Sequence, residues 1–342
     1  MTYLVLDSVQ QQTTDSLKEQ FALDVLMGFS APSKFLPSKY FYDATGSRLF
    51  EKITELEEYY PTRCEFEILD NAGGEIGEFM QNQAFEIVEL GAGDGRKTKV
   101  LLSKLLEITD QFSYIPIDIS ESAMAELVGS LKQSHPSLTT HGIVGDYFAS
   151  IRHLENTSDS RKLVLLLGSN IGNFDFPSAK RFLHSIWKCL NHNDLFLIGF
   201  DLKKDIDVLT RAYNDKQGIT RDFNLNVLTR INNELDGEFD IQRFTHHGMY
   251  NPRHGAMESY LVSLESQQVH IGALEKTFEF KPYEAIHLEV SHKYLLSDMQ
   301  HLADQTGFSV LKNWQDSQGY FADGLWQVNK DFPERDFSGL EE

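Results

Sequence analysis

Short apolar runs alternate with helix-like stretches through the middle of this chain. The runs have the length and composition of buried strands, and polar or glycine-containing segments separate them: Phe85–Leu90, Phe112–Ile117, Gly142–Val144, Lys162–Leu167 and Asp194–Phe200. Strands that alternate with helices pair in parallel and form a sheet that helices cover on both faces. The pattern therefore predicts an α/β fold with a doubly wound sheet between about residues 61 and 200.

The pattern changes after residue 200. Residues 204–235 read as helix, residues 239–280 alternate as antiparallel strands do, and residues 297–311 return to a helix followed by a strand. We therefore predict two domains that interrupt each other along the chain. The sheet domain would take residues 61–200 and 286–330, and a second α+β lobe, which binds the substrate, would take residues 15–60 and 201–285.

Composition and charge narrow the choice of partner. The 342 residues carry 31 Lys and Arg against 51 Asp and Glu, a formal net charge of −20. Such a surface repels phosphate backbones and anionic lipid, so neither nucleic acid nor a membrane is expected as the partner. The two isolated cysteines, Cys64 and Cys189, fit a reducing compartment, and the N-terminus lacks the basic start of a secretion signal. We expect a cytoplasmic monomer that acts on a small molecule.

A glycine loop lies between the first predicted strand and the helix that follows it. Gly91, Gly93 and Gly95 let the backbone turn sharply and approach a ligand where a Cβ atom would collide. Sites for NAD, FAD and S-adenosylmethionine (SAM) all use relatives of this GxGxG string. The dinucleotide fingerprint GxGxxG fails because its sixth position is Arg96. The loop therefore disfavours a Rossmann dehydrogenase.

Two acidic residues end the next predicted strands. Asp118 follows the second strand, where a carboxylate can accept from both ribose hydroxyls, and Asp146 follows the third, where one can accept from an adenine amino group. Tyr147 or Phe148 would then offer a stacking face. A nucleoside cofactor without phosphates suits this layout, and the alternative is that each Asp is an ordinary strand-end cap. Lys97, at the start of the helix after the loop, is either a solvated lysine or a contact for the cofactor carboxylate or the loop carbonyls.

Six further motifs occur in the order that one protein family shows: Pro37–Phe50, Glu58–Arg63, Leu167–Phe174, Asp201–Asp205, Arg211–Tyr213 and Phe223–Asn226. Together they resemble the histidine-specific Nα-methyltransferases of ergothioneine biosynthesis, from about residue 30 to the C-terminus. The resemblance implies a class I SAM methyltransferase-like sheet domain with SAM as cofactor, and a second lobe that holds the amino acid. It also implies three successive methyl transfers to one α-amine, which convert L-histidine to the trimethylated betaine hercynine.

The resemblance assigns the cofactor site and the reacting amine residue by residue. Five residues fall where the family binds SAM: Gly91, Lys97, Asp118, Asp146 and Tyr147, the last in place of a frequent Phe. Asn173 falls where an asparagine positions the substrate amino group, and Tyr42 lies where a tyrosine neighbours it. A neutral Asn oxygen can accept one N–H bond and orient the nitrogen without an ion pair that would keep the amine protonated. Methyl transfer of this kind needs no metal, so no metal site is expected.

The resemblance also assigns the substrate site. Three residues match positions that hold the substrate: Tyr59, Asn170 and Tyr213, the last chiefly at its carboxylate. Glu289 and Ser291 match the pair that reads the imidazole ring. These two residues alternate on a predicted strand and so face the same side, which suits a ring with two nitrogens.

Each of these residues also has an ordinary interpretation. The two asparagines could adopt left-handed turns, the three tyrosines could be core residues, and Glu289 could be a surface carboxylate. Ser259, near the substrate side chain, stands where histidine-specific members usually carry Met. This departure leaves two alternatives for the substrate, a thiohistidine-type derivative and a tryptophan-type amino acid. A catalytically inactive SAM-fold binding protein is the remaining alternative.

Overall fold

A computed structural model describes residues 3–6, 14–80 and 83–331 of the chain. The strands in chain order are β1 (Tyr3–Val5), β2 (Phe85–Leu90), β3 (Phe112–Asp118), β4 (Thr139–Thr140), β5 (Gly142–Val144), β6 (Arg161–Leu166), β7 (Leu195–Asp201), β8 (Phe244–Asn251), β9 (Ala256–Ser263), β10 (Gln267–Ile271), β11 (Lys276–Phe280), β12 (Ala285–His292), β13 (Phe308–Gln315) and β14 (Phe321–Val328). The α-helices are α1 (Thr14–Ser30), α2 (Ala44–Thr54), α3 (Tyr60–Glu78), α4 (Arg96–Leu106), α5 (Glu121–Ser134), α6 (Tyr147–Thr157), α7 (Phe176–Cys189), α8 (Ile206–Tyr213), α9 (Ile219–Leu235) and α10 (Leu296–Thr306).

These elements form two compact units. The first, called the sheet unit, contains residues 61–203 and the described residues before 12 and after 293. The other, called the second unit, contains residues 204–293 and the described residues from 14 to 60. Within the described part of the chain, no helix has both the length and the apolar character that a membrane span requires.

The sheet unit is built on one large sheet with the strand order β1-β5-β3-β2-β6-β7-β14-β13, and β4 pairs with β3. The neighbours from β1 to β7 are parallel, whereas β14 and β13 run antiparallel to their neighbours. All seven residues of β7 are buried, as expected of a strand that helices cover on both faces. The predicted α/β doubly wound sheet is therefore confirmed.

The order of the strands locates the point at which the sheet can bind a ligand. From β2 the chain moves outward through β3 to β5, and it then returns to place β6 on the other side of β2. The loops after β2 and β6 leave the sheet in opposite directions at such a reversal, which opens a crevice at the carboxyl ends of the two strands. The crevice is bounded by the loops at Gly91 and Gly168, which follow β2 and β6.

Three strands of the large sheet are not predicted from the sequence pattern: β14 and the two short strands β1 and β4, the latter with only two residues. β1 has only three residues, which is too short for a periodic signal, and it pairs in parallel with β5. β14 lies between β7 and β13 and bonds to both, so its residues are buried on both faces and show no alternation. The five central strands that the pattern does predict are present with bounds that differ by at most one residue.

The second unit differs from its predicted outline in two places. Residues 204–235 form two helices rather than one, because Gly218 takes a left-handed conformation and the buried Asp215 carboxylate accepts the N–H groups of Ile219 and Thr220. The prediction also places residues 286–292 in the sheet domain. In the structure these residues form most of β12, which pairs with β9 in a three-stranded antiparallel sheet of the second unit, so the division falls after Lys293.

In the second unit, a hydrogen-bonded carboxylate connects two of the sequence motifs, Pro37–Phe50 and Phe223–Asn226. Asp43 caps the first turn of α2 by accepting the Gly46 N–H at 2.6 Å, and its Oδ1 atom also accepts from the Asn226 amide of α9 at 2.8 Å. Gly46 has no room for a side chain, since a Cβ atom there would lie 1.7 Å from the Phe41 carbonyl oxygen. One carboxylate therefore joins the segment around Tyr42 to α9.

Glycines let two helices of the sheet unit pack closely. A Cβ atom on Gly73 of α3 would lie 2.7 Å from the Lys104 Cβ atom of α4, and one on Gly77 would lie 2.8 Å from a Leu105 methyl group. Gly74, by contrast, would meet only an Ile108 methyl group at 3.8 Å. The face of α3 that carries Gly73 and Gly77 is therefore the face on which α4 rests.

This packing predicts opposite effects for two neighbouring substitutions. Gly74→Ala should stabilise the protein by about 0.5–1 kcal/mol, because alanine favours the helix and meets no close atom. Gly73→Ala should destabilise it by about 1–2 kcal/mol, because overpacking outweighs that gain. Thermal unfolding followed by circular dichroism measures both variants, and an equal rise of Tm for the two would contradict the packing.

Candidate active site

Two glycine turns meet at the crevice of the sheet unit. Gly91 and Gly168 have φ angles of +75° and +78°, which an L side chain rarely adopts. A Cβ atom on Gly91 would lie 2.6 Å from the Tyr147 hydroxyl oxygen and 3.9 Å from the Asn170 amide nitrogen. One on Gly168 would lie 3.0 Å from the Lys97 Nζ atom and 3.9 Å from the same Asn170 nitrogen. The structure thus brings Gly91, Lys97, Tyr147 and Asn170 together.

Asp118 and Asp146 both make local backbone contacts at strand ends. The Asp118 Oδ2 atom accepts the Gly93 N–H at 3.0 Å, and its Oδ1 atom accepts the Ser120 N–H at 2.9 Å. Asp146 is exposed and caps α6 through the Ala149 N–H. The cap interpretation therefore holds for Asp146, and Asp118 additionally ties its strand end to the glycine loop. Each carboxylate oxygen still has a lone pair for a ligand hydroxyl or amino group.

Tyr147 begins α6 directly after Asp146. Burial, and then the nearby carboxylates of Asp118 and Glu89, raise the pKa of its hydroxyl to about 12. The hydroxyl therefore stays protonated at neutral pH. Its ring packs edge-on against Phe182 with centroids 6.3 Å apart. This contact holds the ring beside the Gly91 turn.

Lys97 has a partner that the sequence did not indicate. Its ammonium donates to the Glu65 carboxylate, which is fully buried on α3. Both Glu65 oxygens also accept the Gly168 N–H, at 2.7 and 3.0 Å. The ammonium of Lys97 is therefore held by an ion pair and is not bonded to a loop carbonyl, whereas its contact with the cofactor carboxylate stays a prediction. Lys97 pairs with a buried acid that anchors the turn after β6.

Two further buried acids lie in the same region. Burial raises the pKa of Glu89 to about 7, although the hydroxyls of Thr98 and Tyr114 donate to its carboxylate and lower it. Asp323 on β14 is fully buried, and neither of its carboxylate oxygens has a hydrogen-bond partner among the described residues. Burial first, and then the Glu65 charge, raise the pKa of Asp323 well above its usual range. Its surroundings therefore favour the neutral form of the Asp323 carboxyl.

Asn170 and Asn173 lie in a 3₁₀ turn, Asn170–Asn173, between β6 and α7. The left-handed conformation at this turn belongs to Ser169, with φ +58°, and to neither asparagine. The left-handed-turn interpretation of the two asparagines is therefore wrong. Asn170 is half-buried beside the two glycine turns, whereas the Asn173 side chain is exposed at the end of the turn.

Tyr42 and Tyr59 lie together in the second unit. Both rings contact Phe50 edge-on, with centroids 5.7 Å and 6.3 Å away, and Tyr42 also contacts Phe223. Tyr42 is 49% exposed, so it is not a core residue, and Tyr59 is half-buried. The aromatic cluster fixes the two rings and leaves Tyr42 open to a ligand.

A β-bulge controls where Glu289 points. β12 pairs regularly with β9 up to His287, opposite Tyr260, and continuing that register would place Glu289 opposite Glu258. The bulge between His287 and Glu289 shifts the pairing by one residue, so Glu289 lies opposite Ser259 instead. The bulge therefore separates two carboxylates and puts Glu289 on the face that carries Ser259.

Ser291 continues that face, opposite Met257, as predicted from the alternation along the strand. Ser259 is 1% exposed, and its hydroxyl has no hydrogen-bond partner among the described residues. Burial raises the pKa of Glu289 to about 7, and the Lys293 ammonium acts in the opposite direction. The structure thus brings Glu289, Ser259 and Ser291 together.

Tyr213, at the end of α8, joins this group through a residue that sequence reasoning missed. The buried Lys293 ammonium donates to the Tyr213 hydroxyl at 3.0 Å and to the Ser291 hydroxyl at 2.7 Å. The one available signal is that Lys293 extends the alternation of Glu289 and Ser291 by two more residues. Among the residues that the structure describes, no three His, Cys, Asp or Glu side chains are grouped so that they could hold a metal ion.

Comparisons with known proteins show which protein family this chain is similar to. The profile of a family described as histidine-specific, SAM-dependent methyltransferases matches residues 21–328. The histidine N-alpha-methyltransferase of Mycolicibacterium smegmatis is 33% identical over 318 residues, which cover 93% of this chain and 98% of that protein. The enzyme of the same name from Mycobacterium tuberculosis is 34% identical over 298 residues, covering 87% and 92%. The 4-dimethylallyltryptophan N-methyltransferase of Claviceps purpurea is 26% identical over 332 residues, covering 91% and 94%.

The raised pKa of Glu89 predicts a pH-dependent effect of Glu89→Gln. The folded-state pKa of about 7 exceeds the ordinary value of 4.5, so the stability that the protonated carboxyl provides is complete below pH 4.5 and is lost as the pH rises to 7. Glutamine does not ionise. Between pH 5 and pH 8 the variant should therefore gain about 2 kcal/mol of unfolding free energy relative to the wild type.

Urea unfolding of both proteins at several pH values measures this difference. The exposed Glu107→Gln variant serves as the control and should follow the wild type throughout. A constant difference between Glu89→Gln and wild type from pH 5 to pH 8 would show that Glu89 is ionised in the fold over the whole range.

Proposed function

The chain belongs to the family of histidine-specific, SAM-dependent methyltransferases, and from that premise we propose that it methylates the α-amine of L-histidine three times to give hercynine. The observation that carries the proposal is the group on one face of β12, where Glu289 and Ser291 lie beside the Lys293–Tyr213 pair. A carboxylate and a hydroxyl at alternate positions suit the two ring nitrogens of an imidazole. Relatives with the name histidine N-alpha-methyltransferase align over nearly the whole chain, which supports the same substrate.

The crevice of the sheet unit fits the cofactor. SAM supplies an electrophilic methyl group on a sulfonium, and its nucleoside carries two ribose hydroxyls and an adenine. We assign the hydroxyls to Asp118, the adenine to Asp146 and Tyr147, and the close backbone approach to Gly91. The room that the two glycines leave supports this assignment, because a Cβ at Gly91 would collide with the Tyr147 hydroxyl. Lys97 enters the proposal as the residue that anchors the Gly168 turn through Glu65, and we assign its side chain, which is 26% exposed, to the cofactor carboxylate.

The reacting amine is assigned to Asn173 with Tyr42 nearby. An amine must lose its proton before it can attack a methyl carbon at about 3 Å. Asn173 offers a neutral oxygen that accepts an N–H bond, and Tyr42 offers a neutral hydroxyl. Neither group stabilises an ammonium as a carboxylate would. Both side chains are exposed, which is consistent with contact to a small substrate.

The rest of the substrate is assigned to neutral and acidic groups of fixed orientation. The carboxylate goes to Tyr213, with Tyr59 and Asn170 as further contacts, and the ring goes to Glu289 and Ser291. Burial and the opposing Lys293 charge together give Glu289 a pKa of about 7, so it is partly ionised at neutral pH, and its carboxylate can accept a ring N–H.

Ser259 supports a second candidate substrate. Its buried hydroxyl is without a hydrogen-bond partner among the described residues and lies opposite Glu289. A ring substituent such as the sulfur of a thiohistidine could meet this hydroxyl. The Claviceps purpurea relative, whose name specifies 4-dimethylallyltryptophan, shows that relatives of this length include methyltransferases for a larger ring.

The proposal also covers the setting of the reaction. Relatives named ergothioneine biosynthesis protein 1 support a place in ergothioneine biosynthesis. A cytoplasmic location is supported by two cysteines that remain free thiols, one of them buried. Neither nucleic acid nor a membrane is part of the proposal.

The test is a substrate screen with detection of S-adenosylhomocysteine. Purified protein with SAM and histidine should give products heavier by one, two and three methyl groups. Histidine, its mono- and dimethylated forms, thiohistidine and tryptophan derivatives are compared by kcat/KM. The absence of methylated product from every one of them would reject the enzymatic proposal, and calorimetry with S-adenosylhomocysteine would then test a binding protein. A higher kcat/KM for thiohistidine than for histidine would favour the second candidate.

The assignment of the amine predicts the effect of Asn173→Ala. The variant should lose at least about tenfold in kcat while its Tm stays within a few degrees of wild type, because it removes orientation of the amine and little packing. Asn233→Ala, an exposed asparagine on α9, is the matched control and should keep wild-type turnover. Unchanged turnover of Asn173→Ala in the same assay would remove this residue from the site.

A further inference from the structure

Lys293 is a charged residue that the proposed function does not require and that the structure nevertheless buries. Its exposed fraction is 2%. Its ammonium donates to the Ser291 hydroxyl at 2.7 Å and to the Tyr213 hydroxyl at 3.0 Å, and it lies 5.0 Å from the centroid of the Tyr213 ring. Burying an ammonium is costly unless its environment compensates for the lost water. The burial of Lys293 therefore has to be explained, and its hydrogen bonds to the Ser291 and Tyr213 hydroxyls indicate its role.

An ammonium group has three donors and no acceptor. A hydroxyl next to it must therefore use a lone pair toward it and direct its own O–H elsewhere. Ser and Tyr hydroxyls can otherwise rotate between donating and accepting. Lys293 removes that freedom from Tyr213 and Ser291 at once, so both hydroxyls can only donate to their other partner.

The donor roles of the Tyr213 and Ser291 hydroxyls match individual atoms of the proposed substrate. The substrate carboxylate accepts hydrogen bonds, which suits a Tyr213 hydroxyl that can only donate. A neutral imidazole has one nitrogen that accepts and one N–H that donates. Ser291 as a donor suits the first nitrogen, and the Glu289 carboxylate suits the N–H. The pair thus selects one neutral tautomer of the ring.

Lys293 also lies close enough to Glu289 to affect its charge. Burial raises the pKa of Glu289 to about 7, and the ammonium is the group that lowers it. The face that Glu289 shares carries Ser259 of β9 and Gly248 of β8, neither of which is charged. Glu258 lies opposite Val290 instead, where Tyr260 and Asn251 donate to it. The ammonium therefore favours the ionised, accepting form of Glu289.

We propose that Lys293 is a positioning residue for the substrate, which fixes Tyr213 and Ser291 as hydrogen-bond donors toward the carboxylate and ring of an amino acid. The inference rests on the proposed function for the identity of that amino acid. It predicts that Lys293 contributes to binding of the amino acid rather than to the transfer step. Loss of Lys293 should thus act on KM for histidine and leave kcat and cofactor affinity nearly unchanged.

The experiment compares Lys293→Met with wild type and with Lys216→Met, an exposed lysine of the second unit. Methionine keeps the length of the side chain and removes the charge. The KM of Lys293→Met for histidine should rise about 10- to 100-fold, the range expected for hydrogen bonds to a charged group. Its kcat, and its affinity for S-adenosylhomocysteine by calorimetry, should stay within about threefold of wild type, and Lys216→Met should match wild type.

A double-mutant cycle separates orientation from general support of the fold. If Lys293 acts through Ser291, then Lys293→Met should raise KM much less in a Ser291→Ala background than in wild type. Lys293→Gln replaces Lys293→Met if the latter does not fold, since its amide can either donate or accept and should still raise KM. Additive effects in the cycle would overturn the inference.

The outcomes also separate this inference from the proposed function. If wild type gives no methylated histidine, the proposed function fails and the inference fails with it. If wild type methylates histidine but Lys293→Met keeps its KM, only the inference is overturned. A fall in kcat and in cofactor affinity together, with KM unchanged, would overturn it as well, because it would indicate a role in folding.

Discussion

The ion pair between Lys97 and Glu65 holds the two glycine turns of the sheet unit in one place. Lys97 belongs to the helix after the Gly91 loop and Glu65 accepts the Gly168 N–H, so one pair joins both loops. Glu65 is fully buried, and a buried charge that lost its partner would be costly. Burial and the Glu65 charge both raise the pKa of the neighbouring Asp323, which favours its neutral form. The shape of the crevice thus depends on the Lys97–Glu65 ion pair that joins its two loops.

The second unit uses a buried cation in a similar way. Lys293 orients the hydroxyls of Tyr213 and Ser291, as Lys97 anchors Glu65 in the sheet unit. The bulge in β12 completes the arrangement, since it moves Glu289 away from Glu258 and onto the face that Ser291 shares. Lys293 is buried and Lys97 is 26% exposed, and each ammonium bonds to side-chain oxygens that bound a proposed binding site.

The sequence predicts the parts of this molecule that depend on local patterns. The central strands are continuous apolar runs, and Glu289 and Ser291 alternate as strand residues must. β14 was not predicted because burial on both faces removes any period, and the bulge that turns Glu289 depends on pairing with a distant strand. Glu65 did leave a signal, since it occupies the apolar stripe of α3 with Ile68 and Leu69. Its partner Lys97 lies in another helix, and no local pattern can pair them.

At position 259, core packing favours an apolar side chain, whereas hydrogen bonding to a ligand favours the serine hydroxyl. A buried hydroxyl without a partner costs about 1–3 kcal/mol, whereas an apolar side chain at this position would only fill space. A serine hydroxyl opposite Glu289 recovers that cost when a ligand atom bonds to it. In the proposed site, Glu289 and Ser291 meet the two ring nitrogens, so the Ser259 hydroxyl is left for a third polar position, which plain histidine lacks and a substituted imidazole has.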